Sequence, residues 1–388
     1  MWVRGLQIEN ARIVADTGVI DHGWLTCRDG AIAEVAQGDP PQRPEVEHVD
    51  AAGLTLLPGF IDLHVHGGAG AEAMDAAPES LRTMARFYAE HGVTAFLATT
   101  WTDARQRITA ALRCIAGAVG AQPDGATLLG AHLEGPYLNA SRGGAQNTEY
   151  IRRADRDEAA EWLDLGAIRL AAVAPEFEEN RWFIEACVQR GIVVSAAHTA
   201  ATYEQMRRAV ELGVRQTTHT YNAMTGLHHR EPGTLGAAMI LPQLNCELIA
   251  DNIHVHPVAM AILTKLKGVE RIILISDAIR GAGIAEGEYQ IDERTVVIRD
   301  GAVRLPDGTL AGSTLTMERA LANFMAATGF PVEAAWQASS LNAARALHVD
   351  DQRGSIALGK RADVVLVDSS LNVALTVAEG RVVFRRGV

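Results

Sequence analysis

The chain lacks cysteine pairs, an excess of positive charge, long apolar runs and almost all lysine. Its four cysteines, Cys27, Cys114, Cys187 and Cys246, are far apart and form no CxxC motif. That spacing argues against a disulfide framework or a cysteine-built metal site and points to buried free thiols. The formal net charge is -12, which makes nucleic acid and anionic membrane poor partners. An anionic small molecule would need a local cationic pocket working against that field. No stretch reaches the roughly 18 apolar residues of a spanning helix, and the opening Met-Trp-Val-Arg-Gly-Leu-Gln carries no apolar run. Together these point to the cytoplasm. Nothing reads as low in complexity.

What is present is ordinary for a soluble globular protein: 48% hydrophobic and 21% charged residues. A length of 388 residues exceeds the usual single core, so one large domain with a smaller one is expected. Residues 1–57 read as short strands, with Asp29-Gly30 marking a hairpin. From Phe60 onward the pattern changes. Short apolar runs at 60–66, 94–100, 128–134, 168–174, 192–198, 216–221, 247–251 and 272–277 alternate with helical stretches such as 78–91, 103–119, 178–190 and 203–212. Runs apolar almost throughout suit strands covered on both faces. Eight strand–helix alternations predict an α/β fold, a (β/α)₈ TIM-like barrel. The β pattern returns at 362–367 and 381–384. The two chain ends are therefore expected to meet in a small β-sandwich domain (1–57 and 346–388) flanking a barrel at 58–345.

Active sites of such barrels lie at the C-terminal ends of the strands. The first expected strand ends in His64-Val65-His66, where residues two apart face the same way. The third ends in His132-Leu133-Glu134, the fifth in His198, the sixth carries His219 and the eighth ends in Asp277. A lone histidine is usually structural, and His132, His91, His228, His229 and His256 are read that way. Four histidines, a glutamate and an aspartate at successive strand ends point instead to Zn²⁺, Fe²⁺ or a related divalent ion. Glu134 could bridge two ions, one completed by His64, His66 and Asp277 and the other by His198 and His219. The lysines are Lys265, Lys267 and Lys360. None falls at an expected strand end, so a bridge must be a carboxylate.

The segments around these residues carry a resemblance. Residues 58–67, Pro-Gly-Phe-Ile-Asp-Leu-His-Val-His-Gly, resemble the opening strand of the amidohydrolase superfamily. His132-Leu133-Glu134-Gly135-Pro136, His219 through Met224, Arg230-Glu231-Pro232-Gly233, Ala250 through Val255, Ser276-Asp277-Ala278 and Leu310 through Ser313 are similar, as a set, to the N-acetylglucosamine-6-phosphate deacetylases. The match runs from about residue 50 to the C-terminus. It implies hydrolysis of an N-acetylated amino-sugar 6-phosphate to acetate and free amine. It implies metal ligands at Glu134, His198 and His219, and two ions because His64 and His66 are both present. It implies sugar and phosphate contacts from Ala145, Asn222, Ala223, Arg230, Asp251 through His254, and Leu310, Ala311 and Gly312. Arg230 would reach the phosphate of a neighbouring subunit, giving a homodimer.

The chain departs from that pattern at Gln146, where the family usually has His at a position facing the sugar, at Asn252 and at Arg280. Arg280 would be either an extra phosphate or sugar contact or an exposed loop residue. In the expected chemistry Asp277 is the base for water and then the acid for the amine, while His254 donates to the developing oxyanion. Gln146 and Asn252 motivate an alternative substrate, N-acetylgalactosamine 6-phosphate or another N-acyl amino sugar. A non-enzymatic barrel used as an assembly module is the third reading, disfavoured because no ligand is lost.

Overall fold

The computed structural model describes residues 5–291 and 294–387, so the expected outer segments extend at 1–4 and 388 beyond the described residues. The apolar runs become eight parallel strands in chain order: β1 (Phe60–Val65), β2 (Val93–Thr99), β3 (Thr127–Glu134), β4 (Ile168–Val173), β5 (Val193–Ala196), β6 (Val214–Thr217), β7 (Asn245–Ile249) and β8 (Ile272–Ile275). Each is followed by a helix, α1 (Pro78–Glu90), α2 (Arg105–Ala118), α3 (Arg156–Asp164), α4 (Arg181–Gln189), α5 (Tyr203–Leu212), α6 (Gly233–Ile240), α7 (Pro257–Lys267) and α8 (Met317–Thr328). Helix α5 shows how locally the sequence dictates this. Thr202 and Gln205 form a reciprocal capping box, Met206, Ala209 and Val210 are buried, and Gly213 ends the helix at φ 113°.

The ring closes through the segments that carry candidate ligands. Val65 pairs with Ala278, the His66 N–H donates to the Ala278 carbonyl at 2.8 Å, and the Asp277 N–H donates to the His64 carbonyl at 2.9 Å. Strand six corrects the expected bounds: it spans Val214–Thr217, so His219 lies beyond the strand. His198 and Asp277 likewise stand two residues past the last residues of β5 and β8.

Both chain ends contribute to a second, eight-stranded sheet. Thr55–Pro58 pairs with Gly5–Ala15 on one side and with Val364–Val367 on the other. The expected hairpin is there: Asp29 and Gly30 both take positive φ, 51° and 82°, the condition for a primed two-residue turn. The sheet encloses its own core of Leu6, Ile8, Ile13, Leu25, Leu56, Val364 and Leu375. Of the four cysteines, three are buried and Cys114 is half-buried, all as free thiols. No described helix is long and apolar enough to cross a membrane.

One element was not foreseen. Between β8 and α8 lies a four-stranded antiparallel sheet, Gly287–Ile291, Arg294–Arg299, Ala302–Arg304 and Leu310–Ser313. Its last strand is tied to the barrel mouth, the Ser313 N–H donating to the Asp277 carbonyl at 2.8 Å and the Ile279 N–H to the Ser313 carbonyl at 3.1 Å.

Candidate metal and substrate site

The strand-end residues converge. Glu134, the last residue of β3, presents Oε1 to His198 Nε2 at 3.2 Å, His219 Nε2 at 3.3 Å and His64 Nε2 at 3.6 Å, and Oε2 to His66 Nε2 at 3.2 Å. Asp277 Oδ1 stands 3.4 Å from both His64 Nε2 and His66 Nε2. Two three-residue groups in this cluster could each hold an ion: His64, His66 and Glu134, and Glu134, His198 and His219. The imidazoles also approach one another, His64 Nε2 to His66 Nε2 at 3.3 Å and His198 Nε2 to His219 Nε2 at 3.2 Å. Two nitrogens bound about 2.0–2.1 Å from one tetrahedral ion stand about 3.3 Å apart. The spacing and the imidazole–carboxylate donor set therefore fit divalent metal.

The local backbone explains how ligands reach this point. His198, His219 and Asp277 all have positive φ, 42°, 30° and 50°, a region that costs a non-glycine residue about 1–3 kcal/mol. Each turns inward immediately after its strand ends. His64 and Glu134 point inward from within their strands.

Second contacts fix the rings. The His198 Nδ1–H donates to the Arg142 carbonyl at 2.8 Å, leaving Nε2 to face Glu134. His64 Nδ1 lies 3.2 Å from Glu247 Oε2. Glu247 is fully buried and also accepts from Gln216 Nε2 at 2.6 Å and the His219 N–H at 3.2 Å. Asp62, a buried residue of β1, accepts from the backbone N–H groups of His64 and Ser276. Its burial pushes the carboxyl up to about 7. The sequence reading missed both acids; their signal was a lone charge inside an otherwise apolar run.

Charge balance at the cluster is tight. Burial alone would raise the Glu134 carboxyl, but His64, His198 and His219 hold it well below the usual carboxylate range. Burial likewise works against ionised Asp277, yet His64 and His66 keep its pKa lowered. Burial drives His132 well below the ordinary imidazole value, leaving it neutral with Nδ1 3.4 Å from Thr99 Oγ1. His91 pairs with Glu318 at 2.8 Å and His256 caps α7, while His228 and His229 are exposed.

Above the cluster opens a pocket of about 380 Å³. Of the expected contacts, Ala145, Gln146, Asn222, Ala223, His254, Leu310 and Gly312 line it, together with His66, Glu134, His198, His219 and Asp277. Three do not. Ala311 is buried behind its neighbours. Asp251 stands behind His254, accepting its Nδ1–H at 2.6 Å and so leaving Nε2 available. Arg230 is exposed on the loop before α6, donating to His229 Nε2 at 2.8 Å. Trp101 and Arg304 line the pocket and were not anticipated. Trp101 stacks on His66 with ring centroids 3.8 Å apart, and Arg304 comes from the unforeseen sheet. Arg280 is no pocket residue: it donates to Glu72 Oε2 at 3.0 Å and Asp75 Oδ1 at 2.6 Å. Asn252 takes φ 65° and makes no wall of the pocket. A second cavity, about 450 Å³, opens at the opposite end of the barrel and contains none of these ligands.

A closed parallel barrel with imidazoles and carboxylates gathered at its C-terminal mouth defines a class, the barrel hydrolases that work through divalent ions. Comparison with known proteins narrows it. Residues 55–383 match the model of the amidohydrolase family. The chain is 36% identical to the N-acetylglucosamine-6-phosphate deacetylase of Lysinibacillus sphaericus over 98% of each chain. It is 40% identical to the N-acetylgalactosamine-6-phosphate deacetylase of Escherichia coli O157:H7, over 93% of this chain and 95% of that one. Among solved structures it resembles a mutant N-acetyl-D-glucosamine-6-phosphate deacetylase of Mycobacterium smegmatis in complex with N-acetyl-D-glucosamine-6-phosphate, with TM-score 0.90, 30% identity and 98% of each chain covered. The chain belongs to the amidohydrolase family and, within it, to the N-acetylglucosamine-6-phosphate deacetylases.

Proposed function

We propose that the chain hydrolyses the acetamide of N-acetyl-D-glucosamine 6-phosphate, releasing acetate and D-glucosamine 6-phosphate. The observation that carries this is the meeting of Glu134, His66, His198, His219 and Asp277 at the floor of one pocket, with His64 buried directly behind them, in a chain so similar to enzymes of that name. Glu134, His198 and His219 would hold one ion, and His64, His66 and Asp277 with the other oxygen of Glu134 a second; Zn²⁺ suits this donor set best, and Fe²⁺ also fits. Such an ion supplies Lewis acidity and lowers the pKa of bound water from 15.7 toward about 7.

The protein side of the reaction follows from the geometry. Asp277, kept ionised, takes a proton as water adds to the amide carbonyl and returns it to the leaving nitrogen. In its doubly protonated form, with the Nδ1–H held by Asp251, His254 would donate its Nε2–H to the carbonyl oxygen as charge develops there. Ala145, Gln146, Asn222, Ala223, Leu310 and Gly312 shape the sugar pocket, with Ala311 and Asp251 supporting it from behind.

Arg230 serves the phosphate of the partner subunit in a homodimer. Two observations support this: Arg230 lies outside its own pocket, and α7 exposes an apolar stripe, Val258 at 59%, Ile262 at 48% and Leu266 at 54%. Such stripes mark association surfaces. Arg304 is the guanidinium inside the chain's own pocket. The division into 1–57 with 346–388 and 58–345, and a cytoplasmic location matching four free thiols, complete the proposal.

The test is acetate release from N-acetylhexosamines of both configurations, each with and without the 6-phosphate. N-acetylgalactosamine 6-phosphate is the second substrate reading, favoured by the Escherichia coli relative of that name. A higher kcat/KM for the galactosamine epimer would replace the first reading with the second. Mixing Arg230→Ala and Asp277→Asn chains should restore activity, since one site of the mixed dimer would regain both residues. Inactivity despite subunit exchange would refute the shared site.

A further inference from the structure

Gln146 touches more than the pocket. It is only 5% exposed, and both ends of its amide are committed. The Thr102 backbone N–H donates to its Oε1 at 2.9 Å, and its Nε2 donates to Glu134 Oε2 at 2.7 Å. The first bond settles the amide orientation: with Oε1 occupied by a backbone donor, Nε2 must be the end that meets the carboxylate. Thr102 follows β2 and Glu134 ends β3, so Gln146 joins two barrel strands through one side chain.

The bond falls on one oxygen of Glu134 and not on the other. Oε1 faces His198 and His219, while Oε2 faces His66 and receives Gln146. A carboxylate rotating freely about its last torsion would exchange these oxygens and tilt out of plane. A charge-assisted bond of 2.7 Å on Oε2 blocks that rotation. We infer that Gln146 is a positioning residue which holds Glu134 as a bridge between two ion sites, and that the His64–His66 site depends on it more than the His198–His219 site does. The inference rests on the two-ion reading above. It gives Gln146 a duty toward the metal ligand, distinct from the sugar contact expected of its position.

The test is metal binding to the purified full-length protein, with Zn²⁺ as the probe. Stoichiometry and affinity are measured by competition with a chromogenic chelator for the wild type, Gln146→Ala and Gln146→Glu. Wild type should bind two ions. Gln146→Ala should keep one ion at unchanged affinity and bind the other 10–100-fold more weakly, the usual loss when a hydrogen bond behind a metal ligand is removed. Gln146→Glu preserves the shape, so it controls for packing. Facing Glu134 with an acceptor in place of a donor, it should weaken that site at least as much as alanine does. Circular dichroism of the metal-free variants checks that they fold. A wild type binding fewer than two ions would overturn the two-ion reading itself. A wild type binding two, with both variants binding two at unchanged affinity, would overturn the positioning role alone. Equal weakening of both ions would overturn the assignment to the His64–His66 site.

Discussion

Replacing Glu247 tests whether the metal cluster is held from behind. Its carboxylate is fully buried and accepts from Gln216 Nε2 at 2.6 Å, from the His219 N–H at 3.2 Å, and lies 3.2 Å from His64 Nδ1. Glu247→Gln keeps the volume and one acceptor oxygen. The amide oxygen can still meet His64 and His219, while Gln216 can turn its own oxygen toward the new NH₂. What is lost is charge. An imidazole donating to a neutral amide is a poorer metal ligand than one donating to a carboxylate, so Zn²⁺ affinity should fall about 10–100-fold, or about 1.4–2.7 kcal/mol. Glu247→Ala is a harsher change. It strands three donors in a dry interior at about 1–3 kcal/mol each, so several kcal/mol of stability should go even from the metal-free protein. The assay pairs chelator competition for Zn²⁺ with urea denaturation of the metal-free forms. The expected pattern separates the variants: glutamine loses metal affinity and keeps stability, whereas alanine loses both. A glutamine variant with wild-type affinity would refute the idea that the Glu247 charge reaches the metal through His64.

Three further predictions rest on the same geometry. Exhaustive chelation should abolish acetate release, and restoring Zn²⁺ to about 100 times its Kd should add about 2.7 kcal/mol of stability per occupied site; full turnover by metal-free protein would defeat the mechanism. Asp277→Asn should lower kcat by roughly 10²–10⁴ with an unchanged circular dichroism spectrum, and a variant within a few-fold of wild type would send the proton elsewhere. Arg280→Ala should leave KM for the sugar phosphate within a few-fold of wild type while lowering stability by about 2 kcal/mol, because the buried Glu72 carboxylate loses its guanidinium; a large KM effect with unchanged stability would put Arg280 back at the substrate.

The barrel was legible because its strands are covered on both faces and so appear as apolar runs, and most of the ligands because the runs at 60–66, 128–134, 192–198 and 272–277 stop at His66, Glu134, His198 and Asp277. The sixth strand was placed late because the threonine-rich stretch keeps a β-type composition past Thr217, and Thr218 and Thr220 still donate to the Ala196 and Glu247 carbonyls of the neighbouring strands. Glu247 and Asp62 were passed over for a different reason. Local pattern assigns an acid inside an apolar run no role, and Glu247 meets His64 across 183 positions of sequence. Arg280 was read as a substrate contact or a loop residue because its partners, Glu72 and Asp75, lie more than 200 positions away. The sheet at 287–313 carries Arg304 into the pocket. Its short strands stand between two barrel elements, where an irregular loop was the simpler expectation.

The two halves of the donor set are mounted differently. Glu134 and His64 belong to the hydrogen-bonded lattice of the barrel, and their Cα positions are as fixed as the strands themselves. His198, His219 and Asp277 stand two residues past the ends of their strands in left-handed backbone conformations. A residue so placed can swing by a few tenths of an ångström without re-registering any strand. The His198–His219 side, whose two imidazoles both stand on such residues, can therefore close around ions of unequal radius, whereas the His64–His66 side has only Asp277 so mounted, and its backbone is tied to β1. Exchange of one metal for another should be absorbed by the first side, and selectivity among metals should reside in the second.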